Sequence, residues 1–79
     1  MPDLSLADKI RNKLDSHLLP TEEPWKTWAG YGQGMPCAGC DTPILKAQVE
    51  YELIMEDETR FRLHIGCHGL WVAERHRSR

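Results

Sequence analysis

Cys37-Ala38-Gly39-Cys40 and His64-Ile65-Gly66-Cys67-His68 are the two ends of the stretch that decides how this chain folds, and 23 residues separate them. A Cys-x-x-Cys turn sets two thiols on one side of a tight loop. A Cys/His pair brought back by a hairpin can then complete a closed tetrahedral sphere around a metal ion such as Zn2+. His64, Cys67 and His68 are three candidates for the two remaining places. His64 and Cys67 stand three apart, so a strand end and the first turn of a following helix can aim both at one point. Cys67 and His68 are adjacent, and neighbouring side chains on a helix diverge by about 100°. The expected ligands are Cys37, Cys40, His64 and Cys67, with His68 as the alternative fourth. A redox reading of Cys-x-x-Cys needs a strand before the pair and a helix after it. Here Gly34 and Pro36 precede it and Asp41-Thr42-Pro43 follow, which is turn chemistry.

A chain of 79 residues is one domain at most. At this size an apolar core seldom supplies more than about 3–5 kcal/mol, so a metal staple answers a physical need as well as a spacing. Three cysteines is an odd count, and no basic start leads into an apolar run of the secretory kind. These features predict thiolate ligands in a reducing cytoplasm rather than a disulfide framework. No stretch reaches the roughly 20 apolar residues of a membrane span. The net charge of -2 is unevenly spread: residues 21–58 carry eight acids and two bases, and residues 59–79 carry one acid and five arginines. An acidic middle disfavours a broad nucleic-acid surface, while the basic end leaves room for a small one.

Three segments follow. Residues 1–20 read as an amphipathic N-terminal helix: Leu6, Ile10, Leu14 and Leu18 recur every four residues, Ser5 or Asp3 offers a cap, and Pro20 marks the end. Such a stripe packs on the rest of the domain or docks a partner, because a helix this short is marginal alone. Residues 21–36 hold Trp25, Trp28, Tyr31 and alternating Gly30, Gly32 and Gly34, which predicts an irregular but ordered loop whose aromatics act as core or lid. Gly-x-Gly-x-Gly is weak evidence for phosphate binding, since the Lys and Ser/Thr of a phosphate loop are absent. Residues 37–79 form the metal-binding unit.

Within that unit the pattern turns to period two. Val49, Tyr51, Leu53 and Met55 alternate with polar residues, and after Asp57-Glu58-Thr59 so do Phe61, Leu63 and Ile65, which predicts a hairpin. Matching the apolar sets as Met55 with Phe61 and Leu53 with Leu63 puts Glu52 opposite His64 and Ile54 opposite Arg62. Glu52 is then the candidate to hold the second ring nitrogen of a ligating His64. A surface salt bridge of Glu50 and Glu52 with Arg62 accounts for the same charges and is slightly preferred. Gly66 to about His76 reads as a helix with Cys67, Leu70, Trp71 and Glu74 at spacings of three and four, its end basic as the helix dipole favours. Trp71 is expected beside the metal site.

Knuckle, hairpin, then a helix beginning at the last ligand resembles a treble-clef zinc finger. The spacing from Cys37-x-x-Cys40 to His64-x-x-Cys67 resembles the fingers of poly(ADP-ribose) polymerases and, more loosely, a LIM half-module. It is also similar to small bacterial proteins of unassigned role that carry Gly-x-Gly-x-x-Cys-x-x-Cys, here Gly32 to Cys40, then His-x-x-Cys and a tryptophan four residues on, here His64, Cys67 and Trp71. The resemblance covers about residues 30 to 72. It implies a small α+β, zinc-stapled, treble-clef-like domain behind an amphipathic helix; the polymerase fingers bind DNA breaks through basic and apolar surfaces, whereas this finger is acidic. Two function classes are expected. One is a non-catalytic interaction or regulatory module docking a protein partner through the N-terminal helix or the aromatic loop. The other is a weak nucleic-acid binder using Arg60, Arg62, Arg75, Arg77 and Arg79. A basic face continuous with Trp25, Trp28 or Tyr31 points to the second; burial of those rings beside an exposed leucine stripe points to the first. An enzyme is not expected, since no nucleophile and base stand outside the metal set, a four-ligand site leaves no open position for water, and no small-molecule site is evident.

Overall fold

A computed structural model describes residues 5–77. The elements are α1 (Leu6–Asp15), β1 (Lys26–Tyr31), β2 (Val49–Ile54), β3 (Arg60–His64) and α2 (Ile65–Arg77). The strands form one antiparallel sheet in the order β1-β2-β3. α2 packs on β2 and β3, and α1 packs on α2. Ile10, Leu14, Leu19, Cys37, Ile44, Leu53, Met55, Leu63, Cys67 and Trp71 make the buried cluster where these layers meet.

α1 opens as its sequence predicts: the Ser5 hydroxyl accepts the Asp8 N–H at 3.1 Å, relieving one of the unpaired amides of the first turn. Asp3, the other candidate cap, lies outside the described residues. The helix ends at Asp15, short of Pro20. His17 turns left-handed at φ 61°, its N–H bonding the Leu14 carbonyl, and the Leu18 N–H returns to Lys13 at 2.8 Å. That is a Schellman closure with histidine in glycine's place. The reversal throws Leu18 outward, 63% exposed, and gives the core position to Leu19. Ile10 and Leu14 are buried while Leu6 stays at the rim and Leu18 is exposed, so half of the predicted stripe is committed to the core.

The segment expected as a loop, residues 21–36, contains strand β1. Lys26 to Tyr31 pairs with β2 in the register Trp28 to Glu52 and Gly30 to Glu50. A β-branched and aromatic-rich run favours extended backbone, and the alternating glycines tolerate it. Gly32 is needed for another reason: a Cβ there would lie 2.3 Å from the Leu45 carbonyl oxygen.

The hairpin register differs from expectation by two residues. Glu50 stands opposite His64, Glu52 opposite Arg62 and Leu53 opposite Phe61. Its cause is the turn. Met55 and Thr59 close a three-residue loop, the Glu58 N–H bonds the Met55 carbonyl at 2.9 Å, Glu58 sits at φ 72°, and the Thr59 N–H bonds Asp57 Oδ1 at 3.0 Å. A shift of two keeps every side chain on its face, so Leu53 and Leu63 still meet the core.

Candidate metal centre

The knuckle is built by its own backbone. Asp41 N–H bonds the Cys37 carbonyl and Cys37 N–H bonds the Thr42 carbonyl, both at 2.8 Å, with Asp41 left-handed at φ 69°. Asp tolerates that conformation better than most side chains. The Ala38 N–H then bonds the Arg62 carbonyl at 2.7 Å, docking the knuckle on the outer edge of β3 two residues before His64. Because α2 starts at Ile65, directly after β3, Cys67 falls in its first turn and faces the same point.

Cys37, Cys40, His64 and Cys67 thereby converge, their ligand atoms all within 4.8 Å of one another, and the group could hold a metal ion. Tetrahedral zinc with ordinary bond lengths has ligand–ligand edges of roughly 3.5–3.8 Å, and the Cys40 Sγ to His64 Nδ1 separation is 3.3 Å. Cys37 and Cys67 are buried, whereas Cys40 and His64 are half-buried. Backbone donors point at the sulfur: the Gly39 and His64 N–H groups reach Cys37 Sγ at 3.3 and 3.4 Å. Burial opposes ionisation of Cys40, yet bonds from the Thr42 hydroxyl and backbone, and from the Cys37 and Cys67 thiols, bring its thiol down to about 6. Burial, followed by the neighbouring Cys37 and Cys40 sulfurs, pushes Cys67 up. Three sulfurs and an imidazole nitrogen this close make a donor set that could hold a cation, whose binding would displace the thiol protons.

With Nδ1 toward the sulfurs, His64 Nε2 lies 3.2 Å from both the Pro43 carbonyl oxygen and Gln48 Oε1. Those acceptors hold the ring, the outer-shell task expected of Glu52. Glu52 instead pairs with Arg60 and Arg62, and Glu50 with Arg62, as the salt-bridge alternative required. Gln48 gave no signal in the sequence, because its reach depends on the loop before β2; Thr42, two residues after a cysteine ligand, was open to such a reading. His68 points elsewhere, stacked on Tyr51 at 4.3 Å and tilted against Trp71 at 5.8 Å, with burial lowering its basicity.

α1 braces this centre from outside. Lys13 Nζ bonds the Ala38 carbonyl at 2.9 Å and Asp41 at 2.6 Å. Ile10 seats on Gly39, where a Cβ would lie 2.6 Å from Ile10 Cδ1 and 3.0 Å from Cys67 Cβ. Trp71 is buried in the same cluster, its indole N–H bonded to the Pro20 carbonyl at 2.8 Å.

The arginines of the basic end are mostly occupied. Arg60 and Arg62 meet Glu52 and Glu50, Arg77 meets Glu74, and Arg75 is buried against Glu23 with its guanidinium 4.8 Å over Trp71. Arg79 lies outside the described residues. Trp25, Trp28 and Tyr31, expected as core or lid, are instead 66%, 54% and 74% exposed on and beside β1. Lys26 Nζ lies 5.0 and 4.8 Å from the two indole rings. No helix among the described residues is long and apolar enough to cross a membrane. No protein-family model, curated protein or solved structure matches this chain.

Proposed function

We propose that this chain is a non-catalytic, zinc-stapled interaction domain of treble-clef type, acting in a reducing compartment such as the cytoplasm, whose partner surface is the aromatic strand β1. Zinc is the metal best suited to three thiolates and an imidazole in a tetrahedral arrangement, and the cysteines and histidine would hold it closed, with no ligand position left for a substrate. The observation behind this reading is that all six residues of β1 are exposed, with Trp28 and Tyr31 on the strand and Trp25 just before it, which gathers three of the exposed rings in one place, while the other large exposed apolar side chains, Leu6, Leu18, Met35, Leu45 and Ile65, are single aliphatic residues elsewhere in the chain. The N-terminal helix is a weaker docking face, since Ile10 and Leu14 are already committed to the core.

The two discriminating features divide. The exposed rings favour stacking on single-stranded nucleic acid, and Lys26 between two indoles supports that second reading. The ion pairs of Arg60, Arg62, Arg75 and Arg77 oppose it, because among the described residues of the basic end every arginine already meets a carboxylate.

Metal analysis of purified protein should find one zinc per chain, lost in His64→Ala and retained in His68→Ala. Capture of protein partners from the native cytoplasm should be abolished by Trp28→Ser with Tyr31→Ser, and unaffected by Leu18→Ser. Salt-resistant submicromolar binding of a labelled single strand, also abolished by Trp28→Ser, would replace the protein reading with the nucleic-acid one.

A further inference from the structure

The free edge of β1 has a definite hydrogen-bonding face. Ala38 N–H bonds the Arg62 carbonyl, so Arg62 directs its backbone away from β2. Its cross-strand partner Glu52 must then direct its own backbone toward β1, and Trp28 returns those bonds. The Gly32 N–H to Gln48 carbonyl bond has the same parity. Thr27, Ala29 and Tyr31 therefore turn their N–H and C=O groups outward, and no backbone partner meets them among the described residues. Sheet edges are usually blunted by charge, proline or a bulge. This one has a single charge, Lys26, and all six residues are exposed.

Deepening the reading of β1 as a partner surface, we propose that its partner is a second copy of this chain, added antiparallel at the β1 edge about a two-fold axis through Ala29. The sequence of the strand is complementary to itself in that register. Ala29 faces Ala29 on the axis, where small side chains allow close approach. Thr27 faces the second copy's Tyr31, an aromatic to β-branched pair. Trp28 faces the second copy's Gly30, which has no atom within 4 Å of where a Cβ would stand, leaving an open slot for the indole. Lys26 faces the second copy's Gly32, so no like charges are opposed. The pairing makes a continuous six-stranded sheet and saturates both edges at Thr27, Ala29 and Tyr31.

The area available is small. An aromatic side chain carries about 150–250 Å², and with Trp28 at 54% and Tyr31 at 74% exposure the strand offers on the order of 300 Å² of aromatic side-chain surface per copy. Including backbone, two copies bury somewhat less than about 1,000 Å², the size of a weak, exchanging contact. The dimer forms in the micromolar range or above and is in exchange with monomer.

Sedimentation of the full chain from low micromolar to near-millimolar concentration should show a monomer–dimer equilibrium. Ala29→Lys and Ala29→Glu each oppose like charges on the axis and should weaken self-association roughly tenfold or more, while an equimolar mixture of the two variants should associate again. Amide hydrogen exchange supplies the register: Thr27, Ala29 and Tyr31 should slow as concentration rises, whereas Trp28 and Gly30, already bonded to β2, should change little. A chain monomeric throughout overturns self-pairing, though β1 could still serve a different partner. A dimer that leaves those three amides fast, or that survives Ala29→Lys unweakened, overturns it as well.

Discussion

Trp71 and Trp28 are the same residue in opposite circumstances. Trp71 is 1% exposed, its indole N–H is bonded to Pro20, and Arg75 covers one face. Trp28 is 54% exposed on an edge strand, with a lysine as its neighbour. A 79-residue chain has room for few large buried rings, and Trp71 is the ring that the helix places four residues after Cys67 of the candidate metal cluster. The buried cluster gathers around the knuckle, β2, β3 and the helices, while the β1 side carries exposed aromatic surface.

The two tryptophans themselves should differ most. Trp71→Ala should cost about 3–5 kcal/mol, through lost burial, a cavity and an orphaned Pro20 carbonyl. Trp28→Ala should stay within about 1 kcal/mol. Urea unfolding of both variants checks this, and equal losses would mean that β1 is part of the core after all.

Glycines sharpen the contrast at smaller amplitude. Gly39→Ala drives a methyl into Ile10 and the Cys67 side chain and should destabilise by about 1–3 kcal/mol as α1 is lifted from the knuckle. Gly30→Ala meets nothing and should be neutral or slightly stabilising in the monomer. Thermal melts at low protein concentration compare the two.

The smallest effect concerns the clasp between the helices. Arg11 Nε donates to Glu74 Oε1 at 2.9 Å, and this bond holds the Glu74 carboxyl below its ordinary 4.5. A carboxylate depressed in the folded state adds stability that is complete above the unfolded value and is lost as pH falls through the folded one. Glu74→Gln should therefore flatten the stability curve below about pH 4.5 and leave β1 unaltered. Denaturant midpoints across pH 3 to 6 read it.

Much of the metal side was legible because spacing is enough for it. Cysteines and a histidine three apart, period-two strands and a helix starting at the last ligand leave little freedom. The register of the hairpin was not legible: pairing Leu53 with Leu63 or with Phe61 keeps odd residues against odd, so the hydrophobic pattern accepts both and only the turn decides. That turn hides its signal by placing Glu58, not glycine, at φ 72°. The same concealment shortens α1 at His17 and shapes the knuckle at Asp41. Each such residue costs about 1–2 kcal/mol of backbone strain, borne by the hydrogen bonds that the turn makes. Strand β1 escaped notice because its apolar residues face no core, and alternation is informative only where one face is buried.

Metal binding and folding of the knuckle side are expected to be one event. Chelator titration at neutral pH, followed by near-ultraviolet dichroism together with fluorescence of a Trp25→Phe/Trp28→Phe variant that isolates Trp71, measures it directly. Loss of the metal should abolish the Trp71 dichroism and redden its emission in a single step, as the hairpin and α2 come apart together; acidification below neutral should do the same, because protons compete for the thiolate ligands. Retention of the native Trp71 signal by a fully metal-free chain would contradict the claim, showing a core that stands without its staple.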